Sequence, residues 1–170
     1  MDKSVPDLPP FYARYANLIS DVMLPTLLEK NGKIMADYVS EWTKAQAEYR
    51  YAPGKWSARE VIMHLIDSER IFAYRALRFA RKDSTPLPGF DENAYAAMYS
   101  DDNRNMPDLI REMKSVRAST IQLFKSFSKE ALNRSGEASG ITMTVRSLGE
   151  IIAGHELHHK KVLEGKYFPK

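Results

Sequence analysis

The four histidines of this chain are placed so that several of them could bind one metal ion. His155, His158 and His159 lie together near the C-terminus in the segment Gly-His-Glu-Leu-His-His, and His64 lies far upstream. Neutral imidazole is a common ligand of divalent transition metals such as zinc and nickel. Because the chain has no cysteine, histidine and carboxylate side chains are its only strong metal ligands. The helices that carry the histidines decide which of them can meet.

The last predicted helix directs two of the histidines to the core. It runs from Val145 to about Glu164. Since an α-helix turns about 100° per residue, His159 lies about 40° from His155 on the same face. The apolar residues within about 60° of His155 are Leu148, Ile151, Ile152 and Val162. His158 lies at the edge of this face. It could contact one of the metal-binding residues without binding the metal itself, or it could be exposed.

A second predicted helix directs His64 to the core. The sequence Ser57-Ala58-Arg59-Glu60 has the form of a capping box and opens a helix to about residue 81. The neighbours of His64 on its face include Val61, Ser68, Ile71 and Arg75. Three imidazoles on the inward faces of two helices predict a metal site with His64, His155 and His159 as ligands. Such a site keeps one coordination position open for water.

Charged residues near the histidines are candidates for catalytic roles. Arg75 could bind an anionic substrate group, or it could pair with a carboxylate inside the bundle. Asp67 and Glu69 could orient a histidine or act as a base, or they could form ion pairs within their helix. Glu156 could act as a base, because the string from His155 to His159 matches the zincin metalloprotease motif. No third ligand follows that motif, so we interpret the match as coincidental.

A structural role for the histidines is the alternative. A histidine on an apolar helix face is often a hydrogen-bonded core residue. In this second hypothesis the protein is a non-catalytic, dimeric helical module, and the histidines or a bound metal only hold the bundle together. A closed metal site with a fourth protein ligand would favour this alternative, whereas an open coordination position would favour an enzyme.

The rest of the chain predicts one all-α domain spanning residues 1–170. Residues 1–10 contain three prolines and predict an extended arm. Apolar periodicity predicts four principal helices, which begin near Val22, Ala58, Pro107 and Val145. Short extra helices are expected in the loops, at residues 92–99 and 128–132, and residues 135–142 are expected to be a loop. A four-helix bundle is the simplest architecture for this pattern.

Composition argues against several classes of function. The net charge is only +3, and the basic residues are scattered among acidic ones, so nucleic-acid binding is not expected. No apolar run approaches the length of a membrane span, and the N-terminus has no apolar signal region. We therefore expect a soluble, cytoplasmic protein.

Several motifs resemble the DinB-like superfamily, in particular its branch related to YfiT. The resemblance rests on Tyr51-Ala52-Pro53-Gly54-Lys55-Trp56-Ser57, on the His64 to Arg75 segment, on Thr85 to Glu92 and on Ile152 to His159. It implies a four-helix bundle with up-down-down-up topology that forms a homodimer. It also implies a divalent metal, nickel or zinc, on His64, His155 and His159.

The resemblance implies less about the reaction. The family includes proteins described as metal-dependent hydrolases and thiol S-transferases or isomerases that use low-molecular-weight thiols such as bacillithiol or mycothiol. The shared chemistry is the activation of a water or a thiol by the metal. We therefore expect a small-molecule substrate, with a low-molecular-weight thiol as a candidate. The substrate itself, the physiological metal and the pathway do not follow from the sequence.

Overall fold

The computed structural model describes residues 9–16, 18 and 23–168. The predicted N-terminal arm, residues 1–10, therefore lies mostly outside the described residues. Its last residue contradicts the prediction, because Pro10 is the first residue of a helix, α1 (Pro10–Ala16). Proline is compatible with the first turn of a helix, where the amide hydrogen that it lacks would have no helical partner.

Eight α-helices occupy most of the described chain. They are α1 (Pro10–Ala16), α2 (Leu24–Ser40), α3 (Lys44–Glu48), α4 (Ala58–Ala80), α5 (Glu92–Ala97), α6 (Met106–Lys125), α7 (Lys129–Leu132) and α8 (Val145–Val162). A 3₁₀ turn covers Tyr99–Asp101, and a π-helical turn, Leu163–Tyr167, extends α8 beyond its predicted end near Glu164. The long helices α2, α4, α6 and α8 form the predicted four-helix bundle, and the short ones lie in its connections.

The bundle has up-down-down-up topology, as the family resemblance implies. The amide of Asn31 in α2 donates to the carbonyl of Ala153 in α8, and a Cβ on Gly149 would meet Leu24, so α2 and α8 run in parallel. The first amide of α8, at Val145, donates to the carbonyl of Arg134, and the side chain of Arg134 donates to the carbonyl of Ala80 at the end of α4. Helix α4 is therefore antiparallel to α8.

Capping residues define the helix starts as the sequence predicts. Ser57 and Thr144 form capping boxes at α4 and α8, and Asp91 caps α5. Helix α6 begins one residue earlier than expected, because Asn105 caps it and places Pro107 second. Helix α3 is an addition to the prediction, and it begins at a capping box of Thr43 with Gln46.

The segment predicted as a loop at residues 135–142 is a β-hairpin. Strands β1 (Ser135–Ala138) and β2 (Ile141–Thr144) pair in antiparallel register, with Ala138 opposite Ile141. Ser139 and Gly140 form the turn, with φ angles of 57° and 72°. Two successive positive φ angles suit a tight hairpin turn. The high content of glycine and serine concealed the strands, since it is typical of loops.

A polar layer separates two apolar clusters in the core. One cluster contains Phe72, Phe79, Phe124 and Leu148, and the other contains Met35, Ile62, Leu109 and Leu163. Along each long helix, a buried polar residue falls between them: Asn31 in α2, Glu69 in α4, Arg117 in α6 and Glu156 in α8. Buried polar groups are costly unless they are paired, so this layer is where a functional site is expected. Among the described residues, no helix is both long enough and apolar enough to cross a membrane.

Candidate metal centre

Three histidine rings converge in the polar layer between α4 and α8. The Nε2 atom of His155 lies 3.1 Å from Nε2 of His64 and 3.0 Å from Nε2 of His159. Each ring offers one ligand nitrogen, and these nitrogens all lie within 4.8 Å of one another. The structure therefore brings together the three histidines that helical phase selects as ligands.

Hydrogen bonds among the rings cannot satisfy this arrangement. A neutral imidazole nitrogen has either one hydrogen or one lone pair. The Nε2 atom of His155 can therefore form a hydrogen bond with His64 or with His159, but not with both. The remaining pair of nitrogen atoms, 3.0 to 3.1 Å apart, is then left without a directed N–H···N bond of its own. A cation among the three nitrogens would remove this conflict.

All three histidines of the cluster are neutral at neutral pH. Burial lowers the pKa of His64 to about 4 and that of His159 to about 3. Burial, together with the neighbouring histidines, holds the pKa of His155 well below its usual value. A neutral imidazole has the free lone pair that a metal needs, so no proton must be displaced on binding.

The geometry of the histidine cluster fits a divalent metal ion. Tetrahedral coordination with Zn–N bonds of about 2.0–2.1 Å places ligand nitrogens about 3.3 Å apart. The two observed nitrogen separations are close to this value. Within the described part of the chain, the group consists of His64, His155 and His159, with no fourth histidine or carboxylate. The described residues thus offer three ligands at this position.

Residues around the cluster orient the rings and exclude water. The hydroxyl oxygen of Ser68 lies 3.4 Å from Nδ1 of His64, where it can accept the Nδ1 hydrogen and leave Nε2 free for a metal. The Tyr15 ring packs 5.2 Å from the His155 ring, and the Trp56 ring packs 5.0 Å from the His64 ring. No signal in the sequence placed Tyr15, which belongs to α1, at this site.

His158 lies beside the cluster and outside the group of three. Its ring packs 5.5 Å from Tyr15 and 5.2 Å from His159, and it is partly buried. Burial and the nearby cations lower its pKa. This position agrees with the helical phase, which places His158 at the edge of the inward face.

An ion triad of Glu69, Arg117 and Glu156 lies immediately behind the histidines. Arg117 donates through Nε and Nη2 to the two carboxylate oxygens of Glu69, both at 2.9 Å. Its Nη1 donates to Glu156 at 2.9 Å and to the carbonyl of Leu28 at 2.8 Å. Glu69 therefore pairs across the bundle and not within its own helix, which corrects one of the sequence interpretations. The carboxylate of Glu156 is likewise held by Arg117 and not directed at the histidine nitrogens.

The ion triad could not be found from the sequence. Arg117 is one of many basic residues in α6, and its partners lie 48 and 39 residues away along the chain. The Asn31-Gly32 step gave an indirect signal, since it is an unusual interior for a helix. The structure explains it, because α2 is continuous there and a Cβ on Gly32 would lie 2.8 Å from Nη1 of Arg117.

A small cavity lies between the triad and the histidine cluster. It has a volume of about 10 Å³, enough for one water molecule at most. Its polar lining consists of Glu69, Arg117, Glu156 and His155. The triad is therefore close enough to influence the charge at the site.

The other two candidate catalytic residues have partners away from the histidine cluster. Asp67 accepts a hydrogen bond of 2.9 Å from the hydroxyl of Tyr99 and lies 3.9 Å from the guanidinium of Arg70. The latter contact is the type of intrahelical ion pair that the sequence allowed. These contacts direct Asp67 towards the 3₁₀ turn after α5.

Arg75 is fully buried and holds two loops together. Its Nη2 donates to the carbonyl of Pro88 at 2.9 Å and to the hydroxyl of Ser139 at 3.0 Å. Its guanidinium also lies over the rings of Phe72 and Phe90. Among the described residues, no carboxylate is bonded to it, so the expected ion pair is replaced by a carbonyl, a hydroxyl and aromatic faces. The connection between α4 and α5, which contains Pro88, is thereby fixed to the turn of the β-hairpin.

Comparisons with known proteins agree with this fold. The family model of the DinB superfamily matches residues 27–163. A protein of Oceanobacillus iheyensis, whose name assigns it provisionally to the metal-dependent hydrolases, is 25% identical over 128 residues. This alignment covers 74% of the present chain and 72% of the relative.

Solved structures share the fold at low sequence identity. YfiT from Bacillus subtilis, which has an unusual four-helix bundle topology, superimposes with a TM-score of 0.71 at 16% identity over 84% of this chain and 87% of YfiT. A DinB-like protein of B. subtilis, YjoA, gives a TM-score of 0.61 at 21% identity over 82% of this chain and 85% of YjoA.

A third structural relative is larger than this protein. The mycothiol-dependent maleylpyruvate isomerase gives a TM-score of 0.68 at 18% identity, and the match covers 86% of this chain and 62% of the isomerase. Identities this low establish the fold alone. The family assignment rests on the family model, which matches well over half of the chain, and the protein belongs to the DinB superfamily.

Proposed function

We propose that this protein is a metal-dependent enzyme that binds one divalent ion, nickel or zinc, through His64, His155 and His159. Its reaction would be a hydrolysis or the transfer of a low-molecular-weight thiol. The observation that carries the proposal is the convergence of three neutral Nε2 atoms at separations of 3.0 and 3.1 Å that hydrogen bonding cannot satisfy. The provisional name of the O. iheyensis relative supports hydrolysis, and the mycothiol dependence of the isomerase supports thiol chemistry.

The residues of the chain would prepare the site for such an ion. His64, His155 and His159 are held neutral by burial, so their lone pairs are available at neutral pH. Ser68 can fix the tautomer of His64. When bound, the ion supplies Lewis-acid chemistry, lowering the pKa of a water or a thiol that reaches it.

The number of protein ligands favours catalysis over a purely structural metal. Structural zinc sites are usually closed by four protein ligands, and catalytic sites use three. The described residues supply three at this position. A non-catalytic helical module would need no open position beside its metal.

Metal content is the first test of this proposal. Protein purified without a histidine tag should contain one equivalent of nickel or zinc by elemental analysis. The His155→Ala variant should lose the metal, because it removes the central ligand. The His158→Ala variant is the matched control, and it should retain the metal because His158 lies outside the group of three. Wild-type protein that is metal-free and cannot be reconstituted would exclude the proposal.

A second test separates hydrolysis from thiol transfer. The metal-loaded protein is incubated with a low-molecular-weight thiol and an electrophilic acceptor, and the free thiol is measured over time. Because the chain contains no cysteine, the protein itself contributes no thiol to this measurement. Thiol consumption that requires the metal and is absent in His155→Ala would identify a transferase. Metal-dependent ester or amide hydrolysis without thiol consumption would identify a hydrolase.

A further inference from the structure

A groove of about 430 Å³ lies beside the metal centre, between the loop before α4 and the helix α5. This volume lies in the range of small-molecule binding sites. The residues that line it are Arg50, Gly54, Lys55, Trp56, Glu60, Asn93, Ala96, Ala97 and Ser100. The small side chains of Ala96 and Ala97 on α5 leave the space open, and Asn93 lies one turn before them.

The loop side of the groove is rigid. Arg50 forms two hydrogen bonds of 2.6 Å with the carboxylate of Glu60, and it also donates to the carbonyl of Lys55 at 2.7 Å. The hydroxyl of Tyr167 donates to the carbonyl of Trp56 at 2.7 Å. These bonds fix the carbonyl groups of Lys55 and Trp56, which belong to two successive peptides. A preformed wall of this kind reduces the entropic cost of binding a ligand.

The groove has an excess of positive charge. Arg50 and Glu60 neutralise each other through their paired hydrogen bonds. Lys55 is exposed, and it has no acidic partner within the part of the chain that the structure describes. The amide of Asn93 adds a hydrogen-bond donor on the opposite wall. A ligand that complements this surface carries a negative charge.

Trp56 connects the groove to the metal centre. Its side chain lines the groove, and its ring centroid lies 5.0 Å from that of His64. A ligand in van der Waals contact with the indole, at about 4 Å, would lie within about 10 Å of the His64 ring. This distance is comparable to the length of a small molecule, which places the groove close to the histidine cluster.

We propose that this groove binds the non-reacting, anionic part of the substrate, with Lys55 contacting a carboxylate and Trp56 an adjacent flat or apolar group. The substrate class is thus a small organic acid or an acid-bearing thiol. This inference rests on the proposed function, because it assigns the groove to the substrate of the metal centre.

The test uses phenylacetate and its uncharged analogue phenylacetamide as probes. Both are titrated into the full-length protein, and the indole N–H resonance of Trp56 is followed by NMR. The Trp42→Phe variant assigns this signal, since Trp42 and Trp56 are the two tryptophans of the chain. Phenylacetate should shift the resonance saturably and bind at least about fivefold more tightly than phenylacetamide, because only the acid can pair with Lys55.

Two lysine variants make the test specific. Lys55→Gln should weaken phenylacetate binding about fivefold and leave phenylacetamide binding unchanged. Lys125→Gln is the matched control, because it removes an exposed lysine at the C-terminal end of α6, which does not line the groove. It should change neither affinity. The inference is overturned if phenylacetate causes no saturable shift, if both probes bind equally, or if Lys55→Gln has no effect.

The same titration in the His155→Ala variant separates the groove from the metal. Binding that persists in this variant supports the groove, whereas binding that disappears places the probe on the metal and overturns the inference. A protein that holds its metal but binds no phenylacetate contradicts the groove alone. A protein that binds phenylacetate but takes up no metal contradicts the proposed function alone.

Discussion

Two buried polar clusters share the middle of this bundle, and only one of them is complete. In the ion triad, Arg117 bonds two carboxylates and a backbone carbonyl through its three nitrogens. In the histidine cluster, three neutral rings direct their Nε2 atoms at one another, and hydrogen bonds can satisfy only part of that contact. The first cluster is satisfied by its own side chains, and the second is satisfied by its own side chains only in part.

The same two helices supply both clusters. Glu156 directly follows His155 on α8, and Glu69 lies five residues after His64 on α4. A step of one residue turns the side chain by about 100°, which is enough to move it from one cluster to the other. The comparison teaches that burial alone does not distinguish a structural polar group from a functional one. What distinguishes them is whether the neighbouring side chains satisfy the hydrogen-bonding capacity of the group.

The largest effect is expected from breaking the complete cluster. Arg117→Met would leave the carboxylates of Glu69 and Glu156 buried without a cation. The free energy of unfolding should fall by about 3–5 kcal/mol, measured by chemical denaturation at neutral pH. Replacing all three residues by Met should recover much of this loss, because no charge is then buried. A loss below about 1 kcal/mol in the single variant would mean that the carboxylates reach water.

Acid should destabilise the histidine cluster of the metal-free protein. The folded-state pKa of His64 is about 4 and that of His159 about 3, below the usual value of 6.5, so the unfolded chain binds protons more readily. Stability is therefore full above pH 6.5 and decreases as the pH falls towards 4. Each such histidine contributes a slope of about 1.4 kcal/mol per pH unit in this window. Denaturation curves across the window measure the slope, and His64→Asn should reduce it, whereas an equal slope in that variant would assign it elsewhere.

Adding a methyl group where α1 packs against α8 beside the histidine cluster should have a smaller effect. A Cβ on Gly154 would lie 2.0 Å from the carbonyl oxygen of Tyr15, so Gly154→Ala must displace α1. We expect a loss of about 1–3 kcal/mol and faster hydrogen exchange in α1. Gly165→Ala is the matched control, because its Cβ would meet no atom within 4 Å. It should be neutral or slightly stabilising, and equal losses in both variants would contradict the close contact of α1 with α8.

The smallest effect is expected from the residue that orients His64. Ser68→Ala removes the hydroxyl 3.4 Å from Nδ1 of His64 and should weaken zinc binding about tenfold, measured by competition with a chelator. The protein should remain folded, because only one hydroxyl is lost. Ser126→Ala, at the exposed end of α6, is the control and should bind zinc as the wild type does. Unchanged affinity in Ser68→Ala would show that His64 is oriented by packing alone.

Much of the fold and part of the site could be predicted from local signals. Capping residues such as Ser57 and Thr144 act on the backbone within three residues, so the starts of α4 and α8 could be read directly. The β-hairpin at Ser139 and Gly140 was missed, because its strands are short and rich in small residues. The partners of Glu69 and Arg75 were predicted wrongly, since they lie on other elements of the fold.

The sequence by itself determined which histidines face inward, because helical periodicity is a local property of the chain. His155 and His159 share a face through their spacing, and His64 falls on the apolar face of its own helix. Only the tertiary structure decided that these faces meet with nitrogens 3.1 Å apart. It also decided that the carboxylate of Glu156 pairs with Arg117 and not with the histidine cluster. Contacts between helices depend on how the whole bundle packs, and no local pattern of residues encodes that distance.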